Sequence, residues 1–566
     1  LVDVYFDSED WRLGRSGHVL RTRQRAGRSE ATLKDLAPSK AGLRRRLEVT
    51  EALDSADLGG LDPEGPVGRR VRALAGVHVL RQVLEVRTRR RPYSLELHGA
   101  GVGEVALDDT VIVAGAERHR IRLQRVEVEV LPAWVESLSP LVERLRQDCG
   151  LQPAMLSKFE AGLLGAGVVM PRTTDLGPTD ISPMSSVTDV AYAALRKDAG
   201  SMLAHEPGTR LGEDPEALHQ MRVATRRMRG ALKLFESVLP PASARLSEEL
   251  GWLAGLLGAV RDLDIQLERL DGWTENLEGR HRQALDELGD LLVNHHAIAR
   301  ATLLETLDSR RYERLVASLT SMLERGRPRR GALPQVVAAE SLPELIGARH
   351  RDVVKATQRA HRSGVVEDFH RLRIRCKRLR YAIEFTGDLY GGDVKRYAKH
   401  IAALQDELGL IQDAETAANR LQGIALGSEG VPLPRATVFA MGMVAERCSA
   451  EAASRLGKLG ATKQLLNGPL WKKAREAMRR RRGEVAELAA IAAERASRDE
   501  PGTAAMTPGL ARPALGEHPV QPLTTHPLRR AAPITNTQAG DGNVPAQPVE
   551  EARKTVTPIR RRIAPT

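Results

Sequence analysis

Cysteine is scarce in this chain: three residues, Cys149, Cys376 and Cys448, among 566, with no CxxC pair. That excludes a disulfide scaffold and a cysteine-rich zinc module, and a reducing, cytoplasmic setting is the expectation. Aromatic residues make up only 3%, which argues against a surface built on base stacking. No run of about 18 apolar residues appears, and no charged n-region leads into an apolar h-region, so neither a membrane-spanning helix nor a signal peptide is expected. An initiating Met is lacking too; the first residue is Leu1, which points to a fragment or a misplaced start. Acid is the minority charge: 73 Asp plus Glu against 85 Lys plus Arg, a formal net charge of +12. Such a balance favours polyanionic partners, whether nucleic acid, phosphate polymers or anionic membranes.

What is present divides the chain into unequal parts. A length of 566 residues exceeds one core, so at least two domains are expected. Residues 1–165 carry short alternating runs such as "VLRTRQR", "SEATLK", "PYSLEL", "DDTVIV" and "RIRLQRVEVEV", each read as a strand, followed by a helix over "SPLVERLRQDCG". Residues 166–187, rich in Pro, Thr, Ser and Gly, read as a linker. Residues 188–497 are helical in pattern throughout. The stretch 498–566 is rich in Pro, Ala, Thr and Gly and short of large apolar residues; it reads as a disordered tail.

The helical part repeats. "HQMRVATRRMR" from His219 aligns with "HRLRIRCKRLR" from His370, and "LGAVRDLD" from Leu257 aligns with "LGLIQDAE" from Leu408. Both pairs keep one interval of 151 residues (219 to 370, 257 to 408). Two motifs in a shared register imply a duplicated unit of roughly four helices per copy, hence a pair of packed four-helix bundles.

Within the first motif His219, Arg222, Arg226, Arg229 and Lys233 share one helix face about 80° wide, with Met221, Ala224, Met228, Ala231, Leu232 and Phe235 opposite. The second copy repeats the division with His370, Arg373, Lys377 and Arg380; Glu384 stands where Lys233 would. A solvated basic face is the ordinary reading of such a stripe. Duplicated charge with few acids at pairing distance costs self-repulsion, however, and an anionic ligand accounts for it better: arginine forks grip phosphate oxygens and lysine adds point charge. Asp262, Asp264, Asp413 and Glu415 follow the stripes and could hold a metal; the preferred reading is that Asp262 and Asp413 orient the arginines or close the turn between helices, and the spacing is not that of a calcium loop. His205 and His295–His296 show no ligand pattern and are read as surface.

Two copies of HxxRxxx[RK]RxR, each followed by LGxxxD, resemble the CHAD family, the conserved-histidine α-helical domain, over about residues 185–490. The resemblance implies a pseudo-symmetric pair of four-helix bundles around a basic cavity, binding of inorganic polyphosphate and association with polyphosphate granules. It needs no cofactor in the helical part. The positions carried over are His219, Arg222, Arg226, Arg227 and Arg229, then His370, Arg373, Lys377, Arg378 and Arg380, with Lys233 added from the stripe itself.

In the N-terminal part, Arg21, Arg23 and Arg25 fall on one strand face, and Arg125, Glu127 and Glu129 on one face of another. Either the sheet has one wet face or these charges line an interior that takes a metal–phosphate ligand. The order of "YFDSEDWRL", "GHVLRTRQR", "ATLK", "RRLEV", "RTRRRPYSLEL", "VALDDTV", "VEVEV" and "LSKFEAGL" is similar to that of CYTH domains, the triphosphate tunnel metalloenzymes, over about residues 2–165. The resemblance implies an antiparallel β-tunnel whose basic residues (here Arg21, Arg23, Lys34, Arg87, Arg89 and Lys158) bind triphosphate and whose acids (Glu48, Glu127 and Glu129) hold Mg²⁺ or Mn²⁺. The family's first strand, ExExK, is not in this sequence, so an incomplete tunnel is expected, with triphosphatase turnover depending on that strand.

Three functions follow: polyphosphate binding on the helix stripes; metal-dependent hydrolysis of a triphosphate or polyphosphate end in the tunnel; and nucleic-acid binding, which ranks last because no reading helix or finger motif accompanies the scarce aromatics.

Overall fold

The computed structural model describes residues 1–36, 48–55, 57–114, 119–170, 175–274, 279–326, 336–427, 433–459 and 466–498. The stretch expected to be a tail lies outside them from residue 499 onward.

The N-terminal domain is one antiparallel sheet of seven strands: β1 (Val2–Ser8), β2 (His18–Arg25), β3 (Arg28–Asp35), β4 (Glu48–Leu53), β5 (Leu80–Leu97), β6 (Ala100–Ala114) and β7 (His119–Val130), in the order β4-β3-β2-β1-β5-β6-β7. No β4–β7 pairing occurs among the described residues. The strands "VLRTRQR" and "SEATLK" fall within β2 and β3, and "YFDS" is the end of β1.

Register sorts the side chains. Asp3 opposes Arg23 on β2 and Val86 on β5; Arg90 opposes Asp108, which in turn opposes Arg125. Because side chains alternate between faces, Asp3, Tyr5, Arg21, Arg23, Lys34, Glu48, Arg90, Asp108, Glu127 and Glu129 share one face. Helix α4 (Lys158–Gly165), opened by a Ser157–Glu160 capping box, lies on that face. Its Phe159 and Leu163 pack with Tyr5, Leu84, Val86 and Ile112, and its first residue is Lys158. On the opposite face α2 (Pro66–Ala75) buries Val67, Val71 and Leu74 against Leu20, Leu33 and Leu53. The short α1 (Arg12–Arg15) follows β1, and α3 (Val135–Asp148) covers the helix expected after the strands. Of the expected linker, residues 166–170 and 175–187 are described; they form no helix before Val187, which opens the next one, yet Leu176 is buried in the helical core.

The helical domain opens with α5 (Val187–Leu211), α6 (Pro215–Leu234), α7 (Ser243–Thr274) and α8 (Arg280–Leu307), with α9 (Arg310–Arg325) behind them. It repeats as α10 (Ala338–Ser363), α11 (Val366–Tyr390), α12 (Gly392–Ala425) and α13 (Arg435–Lys458), with α14 (Pro469–Arg498) behind. The 151-residue interval carries the first residue of α5 onto that of α10, and of α6 onto that of α11. Each copy is thus four successive helices plus a fifth that backs them. One core joins both copies: Met221, Met228 and Phe235 of the first lie in it with Leu372, Leu379 and Phe385 of the second. A smaller core links Leu285 and Leu288 of α8 to Met441 and Val444 of α13. No helix among the described residues is long and apolar enough to cross a membrane.

The two domains touch directly. Arg12 Nη2 donates to Glu313 Oε1 at 2.8 Å, and Arg70 pairs with Glu213 at 2.6 Å. Asp308, after α8, accepts from Arg210 Nη1 at 2.6 Å and lies 3.8 Å from Arg12 Nη1.

Candidate functional site

Helix α6 begins where Asp214 caps Glu216 N–H and Pro215 presets the first turn. Its apolar side is fully buried: Met221, Ala224, Met228 and Ala231. Burying that side turns His219, Arg222 and Arg226 toward α11, where Leu372, Cys376 and Leu379 are buried in the same way.

The two stripes meet. Burial pushes the Lys377 amine down to about 7, and the charges of Arg226, Arg373, Arg222 and Arg380 act in the same direction. Two of those four belong to the other repeat. Arg222 is likewise lowered by burial and then, against the pull of Asp262, by Arg226, Arg261 and Arg373. Charges of the two repeats therefore act on one another: Arg373 on Arg222, and Arg226 and Arg222 on Lys377. His219 is lowered by burial and by Arg261, Arg226 and Arg222, with Glu216 opposing. The Nε–H groups of Arg222, Arg226, Arg261 and Arg373 are buried without an acceptor among the described residues.

The LG dipeptide of each repeat makes room for this arrangement. A Cβ on Gly258 would sit 3.5 Å from Arg222 Nε, and one on Gly409 would sit 3.6 Å from Arg373 Nε. Only a residue with nothing beyond a methyl leaves both guanidiniums in place. Asp262 and Asp413 lie in mid-helix, in α7 and α12, so neither closes a turn. Asp262 pairs with Arg222 at 3.5 Å, whereas Asp413 pairs with Arg269 at 3.6 Å. His370 Nδ1 lies 2.7 Å from Gln412 Oε1; Gln412 stands where the first copy has Arg261.

Other expected site residues stand apart from this cluster. Arg227 donates to Asp198 Oδ1 at 2.9 Å, pairs with Glu384, and lies over the Tyr381 and Phe385 rings. It is neutralised and built into the packing, because position +8 of the motif is rotated off the stripe toward α5. Arg378 and Arg229 are exposed. Lys233 is exposed and donates to Glu236 at 2.7 Å. Arg261 was not singled out from sequence; the 151-residue alignment with Gln412 hides it, since only the first copy is basic there. His296, read as surface, is half-buried with Nε2 2.9 Å from Asp264 Oδ1.

The charged sheet face forms a second candidate site in two clusters. At one end Arg23 Nε donates to Asp3 at 2.6 Å, Arg21 reaches Asp3 and Glu48, and Lys34 pairs with Glu48 at 2.8 Å. Burial raises Asp3 and Glu48, but the cations outweigh it: Arg23 and Arg21 hold Asp3 below the usual carboxylate range, and Lys34 and Arg21 do so for Glu48. At the other end Lys158 Nζ donates to Asp108 at 2.5 Å and lies 3.0 Å from Glu127, while Arg90 holds Asp108 at 2.7 Å, pairs with Glu127 and lies 3.6 Å from Glu129. Arg87 and Arg89 are a correction: both are exposed on the opposite face, because register places even-numbered residues of β5 inward. The cation on the charged face is Arg90. The alternation of apolar Leu84 and Val86 carried that signal in the sequence.

The metal expected on Glu48, Glu127 and Glu129 does not fit this donor arrangement. Glu48 is on one edge strand and the other two on the opposite edge strand, Glu48 and Glu127 are engaged by cations, and among the described residues no three His, Cys, Asp or Glu side chains group as metal ligands.

Family models match both parts of the chain. A CYTH domain model matches residues 1–162 and a CHAD domain model residues 193–422. An uncharacterized protein of Mycobacterium tuberculosis, in strains CDC 1551 / Oshkosh and ATCC 25618 / H37Rv, is 28% identical over 495 residues, 81% of this chain and 89% of the relative. The crystal structure of the CHAD domain from the plant Ricinus communis is 30% identical with a TM-score of 0.44, covering 51% of this chain and 94% of that one. PptA from Streptomyces chartreusis is 21% identical with a TM-score of 0.39, covering 48% and 99%. The chain carries a CYTH domain at residues 1–162 followed by a CHAD domain at residues 193–422.

Proposed function

We propose that the helical domain binds inorganic polyphosphate, or a similar phosphate-rich chain, in the cleft between α6 and α11. The observation that carries this reading is a set of buried guanidinium Nε–H groups from both repeats, Arg222, Arg226, Arg261 and Arg373, with no acceptor among the described residues; burial first, and then cations of the opposite repeat, hold Arg222 and Lys377 below their ordinary values. Facing like charges raise the energy of the empty cleft, and a chain of phosphates reverses that cost. The buried Nε–H donors support the same reading: each unmet donor costs about 1–3 kcal/mol, and phosphate oxygens are acceptors of the required strength. The binding set is His219, Arg222, Arg226, Arg261, Arg373, Lys377 and Arg380. Granule association would follow from the same affinity.

Binding of long-chain polyphosphate to the full chain, titrated at several salt concentrations, tests this. Strong weakening with salt is expected, as is loss of binding in the Arg222→Glu, Arg373→Glu double variant. Unchanged affinity in that variant would sink the cleft assignment. Duplex and single-stranded DNA as competitors distinguish nucleic-acid binding.

The sheet supports a second reading: a triphosphate group held on the charged face by Arg21, Arg23, Lys34, Arg90 and Lys158. These cations converge on one face, and each end of it already carries carboxylates that a phosphate would replace as acceptor. Phosphate release from tripolyphosphate, assayed with and without Mg²⁺ or Mn²⁺ and in a chain extended upstream, separates binding from turnover.

A further inference from the structure

Four of the five cations around the centre of the cleft are guanidiniums: Arg222 and Arg226 from α6, Arg373 and Arg380 from α11. The fifth is Lys377. An arginine in water neither gives up its proton nor attacks an electrophile, whereas a lysine amine does both. The other lysine of the stripes, Lys233, is exposed and holds Glu236. Lys377 is half-buried, its Nζ lies 5.8 Å from the centre of the Tyr381 ring, and no carboxylate among the described residues pairs with it. The acids nearest the stripes are taken: Asp262 by Arg222, Glu384 by Arg227 and Arg380. One potential nucleophile thus stands in a ring of groups suited to hold a phosphate.

We propose that Lys377 is a site of covalent acylation by acyl phosphates, whose phosphoryl end docks on the surrounding arginines and whose carbonyl carbon is attacked by Nζ. The proposal rests on the reading that the cleft accepts phosphate anions. The step balances without a further reactant. The free amine forms an N–C bond to the carbonyl carbon, the C–O bond to phosphate breaks, the amine proton passes to solvent, and the products are a lysine amide and inorganic phosphate. Two properties of the site favour it. Docking on arginine raises the local concentration of the donor. The amine is pushed down to about 7 by burial and by Arg226, Arg373, Arg222 and Arg380, so a large share is unprotonated at the pH of the test below, against roughly 0.1% for an exposed lysine. Of the other groups at the cleft, His219 is held below its ordinary value by burial and by Arg261, Arg226 and Arg222, so it stays neutral at the pH of the test, and Glu384 is paired with its arginines. Acylation would remove one cation from the centre of the cleft.

The test uses the full chain with acetyl phosphate at pH 7.5 and maps labelled lysines by peptide mass spectrometry, with exposed Lys355 and Lys399 as internal references. Lys377 is expected to label about tenfold or more faster than either reference. That preference should shrink with a phosphate-free donor, N-hydroxysuccinimidyl acetate, and with excess inorganic phosphate. Lys377→Arg keeps the charge and should show no label in that peptide. Labelling no faster than at Lys355, or the same preference with both donors, would overturn the proposal. Polyphosphate binding measured on the same sample separates the failures: a protein that binds but does not label sinks acylation alone, and one that does neither sinks the cleft reading as well.

Discussion

Gly230 of α6 and Tyr381 of α11 hold the same position in the two repeats and lie against each other: a Cβ on Gly230 would come within 2.8 Å of Tyr381 Cδ2. Counterparts of a repeat touch only near the axis that relates them, so this contact marks the pseudo-twofold centre of the helical domain. It also brings the two basic stripes face to face.

Gly230→Ala tests that centre. In an exposed helix interior this substitution stabilises by about 0.5–1 kcal/mol. Here the methyl group meets the Tyr381 ring, so a loss of about 1–3 kcal/mol is expected instead. Denaturant titration of both proteins gives the sign.

Gly258 and Gly409 test how the arginines are seated. Leucine at either position would push aside Arg222 or Arg373, which lie 3.5 and 3.6 Å from the built Cβ atoms. Each variant should lose polyphosphate affinity on the order of tenfold, the weight of one charge-assisted contact, while alanine at the same positions should lose little. Equal losses for alanine and leucine would point to a backbone cause.

Polyphosphate affinity should fall as pH rises above about 7. In the free protein Lys377 is held down to about 7, against an ordinary value of 10.5. A bound polyanion raises it, so the complex holds more protons than the free protein across that interval, and binding weakens as pH climbs through it. Calorimetry in buffers of different ionisation enthalpy should show proton uptake near pH 8. Lys377→Arg should abolish most of that uptake while retaining binding.

Asp308 joins the domains by accepting from buried Arg210 while lying beside Arg12. Asp308→Ala leaves Arg210 with Glu206 and the Leu307 carbonyl but one charge-assisted partner short. A loss of about 1–3 kcal/mol is expected, read as a lowered thermal midpoint. An unchanged midpoint would show that Glu206 alone suffices.

Much of the candidate site is legible in sequence because helical periodicity is local: the offsets of His219, Arg222 and Arg226 place them on one face whatever packs nearby. The +8 residues were harder to place, because whether a rotated arginine joins the cleft depends on what the neighbouring helix offers. Arg227 found Asp198 on α5, 29 residues away, and so became structural. In the sheet, "RTRRR" presents cations on both faces, and choosing the face requires the pairing partner. Asp108 across from Arg90 settles it, at an |i−j| of 18.

The sequence by itself determined the two-part organisation, the duplication at 151 residues, the apolar back and basic front of α6 and α11, and the alternation of strands. Each of these is a matter of spacing along the chain, and spacing along the chain defines the faces of helices and strands. Only the tertiary structure decided which faces meet: Arg222 against Arg373, Arg226 against Lys377, Arg90 rather than Arg87 and Arg89 among the carboxylates. The charge state of Lys377 belongs to that second group, because the amine is depressed first by burial and then by four guanidiniums drawn from two helices 151 residues apart, and no local window of sequence contains either cause.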